Sequence, residues 1–398
     1  MHRAVIGAGY GDEGKGLFAD GFAADGASLV VRTNGGAQAG HTVTTPDGRR
    51  HVFHHFPSGA FAGVRGHLSR FFVCSPIAFL AERAELDALG ANLSVSADPR
   101  CPVTTPLDMM INQIAERARG SGRHGSCGMG FGETIERDGN AAYAIRASDL
   151  GRGDLMERLV RIRDEWVPGR LARLGVVPDA VEARNLANDA ILDRFVADAR
   201  AFAGYVRLRG DADLGSERSI VFEGAQGLML DQDYGAFPFV TRSHTGARNV
   251  AAVMREAGID GVEVLYATRA YVTRHGAGPL SGEVARPEGF AVVDATNVPN
   301  PWQGTIRYAP LDLDVLEAAI AADLGHLQGL RATACVGISC LDQATDRVTW
   351  ISGAEGASGD VAELAGLATS LLPGKGRLSH GPTRSTLSVE RIGMPIAC

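Results

Sequence analysis

The stretch RAVIGAGYGDEGKGLFADGFAADG, residues 3–26, constrains the fold more than any other. A short apolar run ends in a glycine-rich loop, and an apolar-rich segment of helical character starts at Lys15. SLVVRTNGG (28–36) then repeats the pattern of an apolar run entering a glycine-rich loop. Two strands joined through a loop and a helix imply a parallel sheet, because parallel strands need a long crossover between them. Ligands of such sheets sit at the C-terminal ends of the strands. The reading is therefore α/β: a single large domain with a mostly parallel central β-sheet, a P-loop-like N-terminal phosphate loop and helical inserts.

From Gly9 to Lys15 the loop reads G-x-x-x-x-G-K with Gly14, most of a P-loop. The next residue is Gly16, where a P-loop has the Ser or Thr that holds Mg²⁺. Backbone N–H groups in such a loop, with the helix N-terminus behind them, form an anion site. Lys15 adds a point charge for phosphate oxygens. Asp12 is the best-placed replacement oxygen ligand, and as a carboxylate inside the loop it is equally suited to act as a base. NGGAQAGHTV (34–43) brings His41 to the C-terminal end of the second strand, on the same sheet edge as Asp12. A histidine beside a transferring phosphoryl group can protonate a developing oxyanion.

Further strands are expected at HVFHHFPSG (51–59), RFFVCSP (70–76), SIVFEGAQG (219–227), GVEVLYATRAYVTRHGAGP (261–279) and ATACVGISCLD (332–342). Helices are expected at 77–90, 108–120 and 313–325, and a charged helical insert over about 150–210. GSGRHGSCGMGFGE (120–133) reads as a further glycine-rich loop, and 352–370 as a surface excursion rich in Gly, Ala and Ser.

With 398 residues and 45% hydrophobic content, one large core can be buried. A net charge of −7, with no Lys/Arg run longer than two residues, argues against a nucleic-acid or membrane surface. Cys74, Cys101, Cys127, Cys335, Cys340 and Cys398 form no C-x-x-C pair, suggest no metal cluster and read as buried reduced thiols. The N-terminus has no signal-peptide character, and no apolar run is long enough to span a bilayer, so a cytoplasmic protein is expected.

Taken together, GDEGKG (11–16) and VVRTNGGAQAGHT (30–42) resemble motifs of the adenylosuccinate synthetase family. HHFPSG (54–59), FEGAQGLMLDQDYGAFPFVT (222–241), YVTRHGAGP (271–279) and HGPTRSTL (380–387) resemble further family blocks in the same order. The resemblance thus runs from residue 3 to residue 387. It implies a ligase of purine biosynthesis that uses GTP to phosphorylate the 6-oxo group of IMP and then displaces the phosphate with the amine of aspartate. By resemblance, Asp12 is the base that deprotonates N1, Mg²⁺ is held by Asp12 and the Gly40 carbonyl, and His41 is the proton donor. Gly11, Glu13, Gly14, Lys15, Gly16, Gly40 and Thr42 then serve the triphosphate. Asp342, Gly381 and Pro382 serve the guanine, within a base-binding part at about 330–390. Gln38, Ser126, Gln226, Thr241 and Arg274 match positions at the substrate nucleotide, with Thr241 near its 5′-phosphate. Thr305 and Arg307 fall in the amine-donor loop. A homodimer is implied in the same way.

The departures cluster on the substrates. SCGMGFGE (126–133) has Cys127 and Met129 where the family has Thr and Arg, and Gln38 replaces Asn. The arginine that the family's partner subunit sends to the 5′-phosphate falls near Ala142, with Arg137 and Arg146 as nearby substitutes. In NPWQGTIRYAPLD (300–312) only Arg307 remains of an arginine cluster that serves the carboxylates of aspartate. Cys340 replaces a lysine beside the NTP base, which leaves ATP as an alternative to GTP. Two other readings follow: the same chemistry on another acceptor or amine, such as dGMP or a specialised metabolite, and a nucleotide-binding regulator without ligase activity. Retention of Asp12, Lys15, His41 and Gln226 together speaks against the regulator. Gly16 and the lack of an N-K-x-D motif speak against a plain P-loop GTPase.

Overall fold

The computed structural model describes residues 1–91, 93–122, 125–293, 297, 304–353 and 355–389. Its centre is a ten-stranded sheet. In spatial order the strands are Leu387–Val389, Arg377–Ser379, Arg331–Ser339, Gly261–Arg269, Arg3–Gly7, Ile220–Glu223, Leu29–Arg32, Arg65–Leu68, Val95–Ala97 and Arg207–Leu208. Every neighbouring pair is parallel except the first, Leu387–Val389 against Arg377–Ser379. This is the single α/β domain with a mostly parallel sheet that the opening strand–loop–helix pattern implies.

The inner strands are continuous apolar runs because helices cover both faces. Along Arg3–Gly7 the side chains alternate. Ala4 and Ile6 join Val250, Met254 and Ile320 on one face, while Val5 joins Phe18, Phe22 and Val30 on the other. The helix Lys15–Ala24 begins directly after Gly14, whose φ of 83° only glycine adopts cheaply. The helix Pro106–Arg119 starts two residues before its sequence-based limit. Thr105 and Asp108 form a capping box there, and Pro106 opens the first turn. Between Leu155 and Tyr205 the chain is helical and packs a separate apolar cluster of Leu159, Trp166, Leu192, Phe195 and Phe202 against Phe79 and Ile111. A four-stranded sheet of Tyr271–Arg274, Arg307–Asp312, Val348–Ser352 and Glu355–Gly359 lies apart from the central one, and His41–Thr44 pairs with Arg50–Phe53 as a hairpin.

Three sequence-based expectations are corrected. RFFVCSP is not a strand: the sheet takes Arg65–Leu68 just before it, and Val73 and Cys74 make only isolated bridges. Phe72, Val73 and Cys74 are nevertheless buried, so the apolar run reports burial and not pairing. HVFHHFPSG is extended only through Phe53, and Ser58–Ala62 is a 3-10 turn. Nor is 352–370 an excursion: it supplies the strand Glu355–Gly359 and the helix Val361–Ser370, which buries Leu364, Ala365 and Ala368. Cys74, Cys101 and Cys335 are buried and Cys127 and Cys340 half-buried, all as free thiols. Cys398 and residues 300–303 of the amine-donor loop lie outside the described residues.

Candidate active site

Five strand ends converge on one edge of the central sheet, and the glycine-rich loops connect them. The first loop is pinned by Glu13, whose side chain turns inward. Its Oε1 accepts from the N–H groups of Gly9 (3.0 Å) and Gly11 (2.7 Å), and its Oε2 pairs with Lys15 Nζ at 2.5 Å. The carboxylate thus fills the anion nest from inside. A Cβ on Gly7 would come within 2.4 Å of it. The loop is also tied outward, to Ser339 Oγ through the Glu13 carbonyl (3.0 Å) and to Arg269 Nε through the Asp12 carbonyl.

Gly16 packs against the first hairpin strand. A Cβ there would lie 2.8 Å from the Thr42 carbonyl oxygen and 3.1 Å from His41 Cβ. The hydroxyl residue of a P-loop has no room at this position. His41 itself does not end the strand Leu29–Arg32; it opens the hairpin strand His41–Thr44, and that hairpin carries it to the loop.

Asp12 adopts φ of 61°, Gln226 58° and Cys340 64°. Left-handed backbone is costly for such residues and gathers at functional sites. Asp12 and Gln226 follow neighbouring strands, Arg3–Gly7 and Ile220–Glu223, and Cys340 follows Arg331–Ser339, two strands from Arg3–Gly7. Asp12 Oδ2 meets His275 Nε2 at 2.7 Å. Burial alone would raise the Asp12 carboxyl; the His275 hydrogen bond and the charges of Arg269, His275 and Lys15 outweigh it and bring it down to about 2.

The second buried cluster is His41, Glu223 and Arg32. His41 Nδ1 lies 2.5 Å from Glu223 Oε1 and 3.3 Å from Arg32 Nη1. Ser58 Oγ and its N–H also donate to Glu223. Burial first, then the Arg32 charge, lower His41 to about 4 against the pull of Glu223. Glu223 is brought down to about 2, because His41, Arg32 and Ser58 overcome the effect of burial. His41 is therefore neutral at pH 7, with Nδ1–H turned to Glu223 and Nε2 buried without a partner among the described residues.

Beside these groups lies a cavity of about 380 Å³ whose lining includes Gln38, Ser126, Gln226, Thr241, Arg274 and His275. It draws five residues singled out in the sequence from four separate loops and the end of one short strand. Gln38 Nε2 is buried there without a hydrogen bond among the described residues. Ser126 Oγ donates to Asn112 Oδ1 at 2.9 Å, and Asn34 exchanges 2.7 and 2.9 Å bonds with the Ala225 backbone, setting the Gln226 turn. Arg274 is not a free cation: it is buried, donates to the carbonyls of Pro279 (2.8 Å), Phe239 (3.1 Å) and Ala277 (3.1 Å), and sits over the Tyr10 ring.

Other singled-out residues sit at the rim. Gly40 is exposed and Thr42 half-buried. Thr305 is exposed, and Arg307 spends its donors on Glu283 (2.8 Å from Nε) and on the carbonyls of Gly276 and Gly278 (3.1 and 2.8 Å). Asp342 is exposed in the turn Leu341–Gln343, next to the strand end that holds Ser339. Gly381 accepts from Ser379 Oγ at 2.8 Å and Pro382 is exposed. Their loop is held on the first helix by Arg384, which meets both Asp20 oxygens at 2.9–3.0 Å, and beside the hairpin by a Thr44–Thr383 bridge. Arg137 is corrected outright as a substitute cation. It is fully buried, paired twice with Asp108 at 2.8 Å, and donates to the carbonyls of Val103 and Tyr143. Arg146 remains half-exposed beside Asp138.

Glu223, Arg32, Arg269 and His275 escaped the sequence reading as site residues. The first two carried a signal: charged residues closing otherwise apolar strands, IVFE and LVVR.

Residues 4–298 match the family model described as adenylosuccinate synthetase. The adenylosuccinate synthetase of Anaeromyxobacter sp. (strain Fw109-5) is 37% identical over 336 residues, 83% of this chain and 76% of the relative. That of Psychrobacter cryohalolentis is 35% identical over 287 residues, 70% of this chain, and there the match spans 64% of the relative's length. Among solved structures, fully ligated adenylosuccinate synthetase from Plasmodium falciparum superposes with a TM-score of 0.72 at 17% identity, covering 98% of this chain and all of that one. Cyanophage S-2L succinoaminodeoxyadenylate synthetase, bound to dGMP and dATP, gives 0.61 at 18% identity over 97% and 94%. At these identities the structural likeness speaks for the fold.

Proposed function

The chain belongs to the adenylosuccinate synthetase family, and on that premise we propose that it joins IMP to aspartate at the expense of GTP, giving adenylosuccinate. The reading is carried by one juxtaposition. An ionised carboxylate, Asp12, is held by the phosphate loop near the cavity lined by Gln38, Gln226 and Thr241, with His275, its partner, in that lining.

Asp12 accepts the N1 proton of IMP, so the 6-oxygen gains the charge to attack the γ-phosphorus, and GDP leaves. The aspartate amine then attacks C6, phosphate departs, and the amine gives up a proton. Glu223 prepares His41 for the first step. A triphosphate arriving at the unpartnered Nε2 favours the imidazolium, and Glu223 behind Nδ1 stabilises it, so Nε2 becomes a donor to the transferring group. Lys15, held in place by Glu13, faces the same anion together with the loop N–H groups of Gly14 and Gly16, while the Gly11 N–H is spent on Glu13. Thr42 and the Gly40 carbonyl border it from the hairpin.

Mg²⁺ fits this donor set. Asp12 Oδ2 is taken by His275, while Oδ1 has no donor among the described residues, and Gly40 is exposed. Hard oxygen ligands of this kind, completed by phosphate oxygens and water, are what Mg²⁺ takes, and the ion would neutralise charge along the phosphates. The guanine is assigned to Asp342, Gly381 and Pro382 in the part at about 330–390. The strand ends that carry them flank the phosphate loop. Gln38, Ser126, Gln226 and Thr241 take the IMP, and Arg274 shapes the wall from behind. Thr305 and Arg307 stand at the aspartate entrance. A homodimer and a cytoplasmic location complete the reading. Among the described residues no helix is long and apolar enough to cross a membrane.

The test is phosphate release with Mg²⁺, supplying GTP or ATP with IMP or dGMP, with and without aspartate, and mass analysis of the product. Release that requires both IMP and aspartate, and loss of about 10²–10⁴-fold in Asp12→Asn with an unchanged melting temperature, is the expected result. Full activity of Asp12→Asn would sink the assignment of the base.

A further inference from the structure

The nucleotide cavity contains four arginines in its lining, Arg119, Arg170, Arg242 and Arg274, and they are unequally committed. Arg274 is spent on backbone carbonyls. Arg170 grips both oxygens of Glu133 (2.7 and 3.1 Å) and also reaches Glu136 at 3.2 Å. Arg242 is half-exposed and shares Glu136, at 3.2 Å. Arg119 closes the helix Pro106–Arg119 and is held through one nitrogen, Nη1, by Glu116 Oε1. No other hydrogen bond of Arg119 is recorded among the described residues.

Glu116 is the unusual member. It lies on the face of Asn112, one turn further along the helix, and Asn112 holds Ser126. Its side chain is fully buried in a cavity wall, and Oε2 has no partner among the described residues. A buried carboxylate is retained only where something needs its charge. Here the Arg119 pair supplies that need. The carboxylate fixes a guanidinium whose remaining donors have no hydrogen-bond partner among the described residues, in a lining that also includes Ser126, Cys127 and Thr241. A phosphate dianion is best met by a preorganised guanidinium with two parallel donors.

We propose that Arg119, positioned by Glu116, is the residue through which this chain binds the 5′-phosphate of its acceptor nucleotide, so that the phosphate cation comes from the same subunit as the rest of the cavity. The proposal rests on the nucleotide-ligase reading above. It makes Arg119 a specificity residue, separating nucleotides from nucleosides, and Glu116 a positioning residue.

The experiment is calorimetric binding of IMP and of inosine, alongside steady-state kinetics, for the wild type, Arg119→Ala, Arg119→Lys, Glu116→Gln and the Arg119→Ala/Glu116→Gln double variant. The double variant leaves no unpaired buried charge and guards against a folding defect in the single one. The wild type should prefer IMP over inosine. Arg119→Ala and the double variant should weaken IMP about tenfold or more with inosine unchanged, raising KM for IMP and leaving KM for GTP in place. Arg119→Lys should recover part of the loss, and Glu116→Gln should lose less than Arg119→Ala. Wild-type affinity for IMP in the double variant overturns the proposal and leaves the ligase reading standing, as does equal weakening of IMP and inosine. A wild type that binds neither compound overturns both.

Discussion

His275 Nε2 and Asp12 Oδ2 stand 2.7 Å apart, which joins the loop after the strand Tyr271–Arg274 to the loop after the strand Arg3–Gly7. The pair keeps Asp12 ionised far into acid and fixes one carboxylate oxygen. In His275→Val the Asp12 carboxyl should rise from about 2, because burial still favours its neutral form and the leading opposing contact is gone. The acid limb of the kcat/KM profile should then move to higher pH. An unmoved limb would remove His275 from the catalytic arrangement.

The His41–Glu223 pair makes stability depend on pH in two windows. The His41 value is depressed from 6.5 to about 4, so the unfolded chain binds the proton more readily between those values. Stability should therefore fall as the pH drops through that window, by up to about 3 kcal/mol from this group. Glu223, depressed from 4.5 to about 2, adds a further loss below 4.5. Urea melts from pH 7 to pH 4 should show the first loss in the wild type and a flatter profile in His41→Gln. Parallel profiles would mean that His41 titrates normally.

Gly16→Ser restores the P-loop residue and should harm the protein. The new Cβ meets the Thr42 carbonyl and His41, and overpacking of this kind costs about 1–3 kcal/mol. Thermal melting should show the loss, and phosphate release should fall as His41 is displaced. A Gly16→Ser variant that stays active and binds Mg²⁺ more tightly would contradict the packing argument.

Arg307 is neutralised by Glu283 at a partly exposed site, so an incoming dicarboxylate must compete with a carboxylate already in place. Glu283→Gln should lower KM for aspartate several-fold with little change in stability, since exposed pairs contribute about 0–1 kcal/mol. Arg307→Leu should raise KM for aspartate and spare that for IMP. Unchanged aspartate kinetics in both variants would place the amine donor elsewhere.

Much of the site was legible because its signals are local. A strand ending in glycines and restarting as a helix needs only neighbouring residues to declare itself, and the same holds for the loop that carries Gln226, whereas His41 and Arg274 lie on short strands of their own. The edges of elements read less well. RFFVCSP is apolar because it is buried, yet pairing passed to RGHL, whose glycine and histidine give no strand signal. The helix Val361–Ser370 went unseen because Ala and Gly dilute its periodicity, although Leu364 and Ala368 line one face one turn apart.

The sequence by itself determined the fold class, the order of the loops and which side chains they carry, since each depends on short-range backbone geometry and hydrophobic pattern. The tertiary structure alone decided what those side chains do with their charge. Glu13 turns into the loop to hold Lys15, Arg137 is spent on Asp108, and Arg274 is spent on carbonyls. His41 finds Glu223 across 182 residues, and the Glu13 carbonyl finds Ser339 across 326. A buried charge must be paired wherever the fold brings a partner within reach. That reach is a property of the assembled sheet edge, which no local stretch of sequence contains.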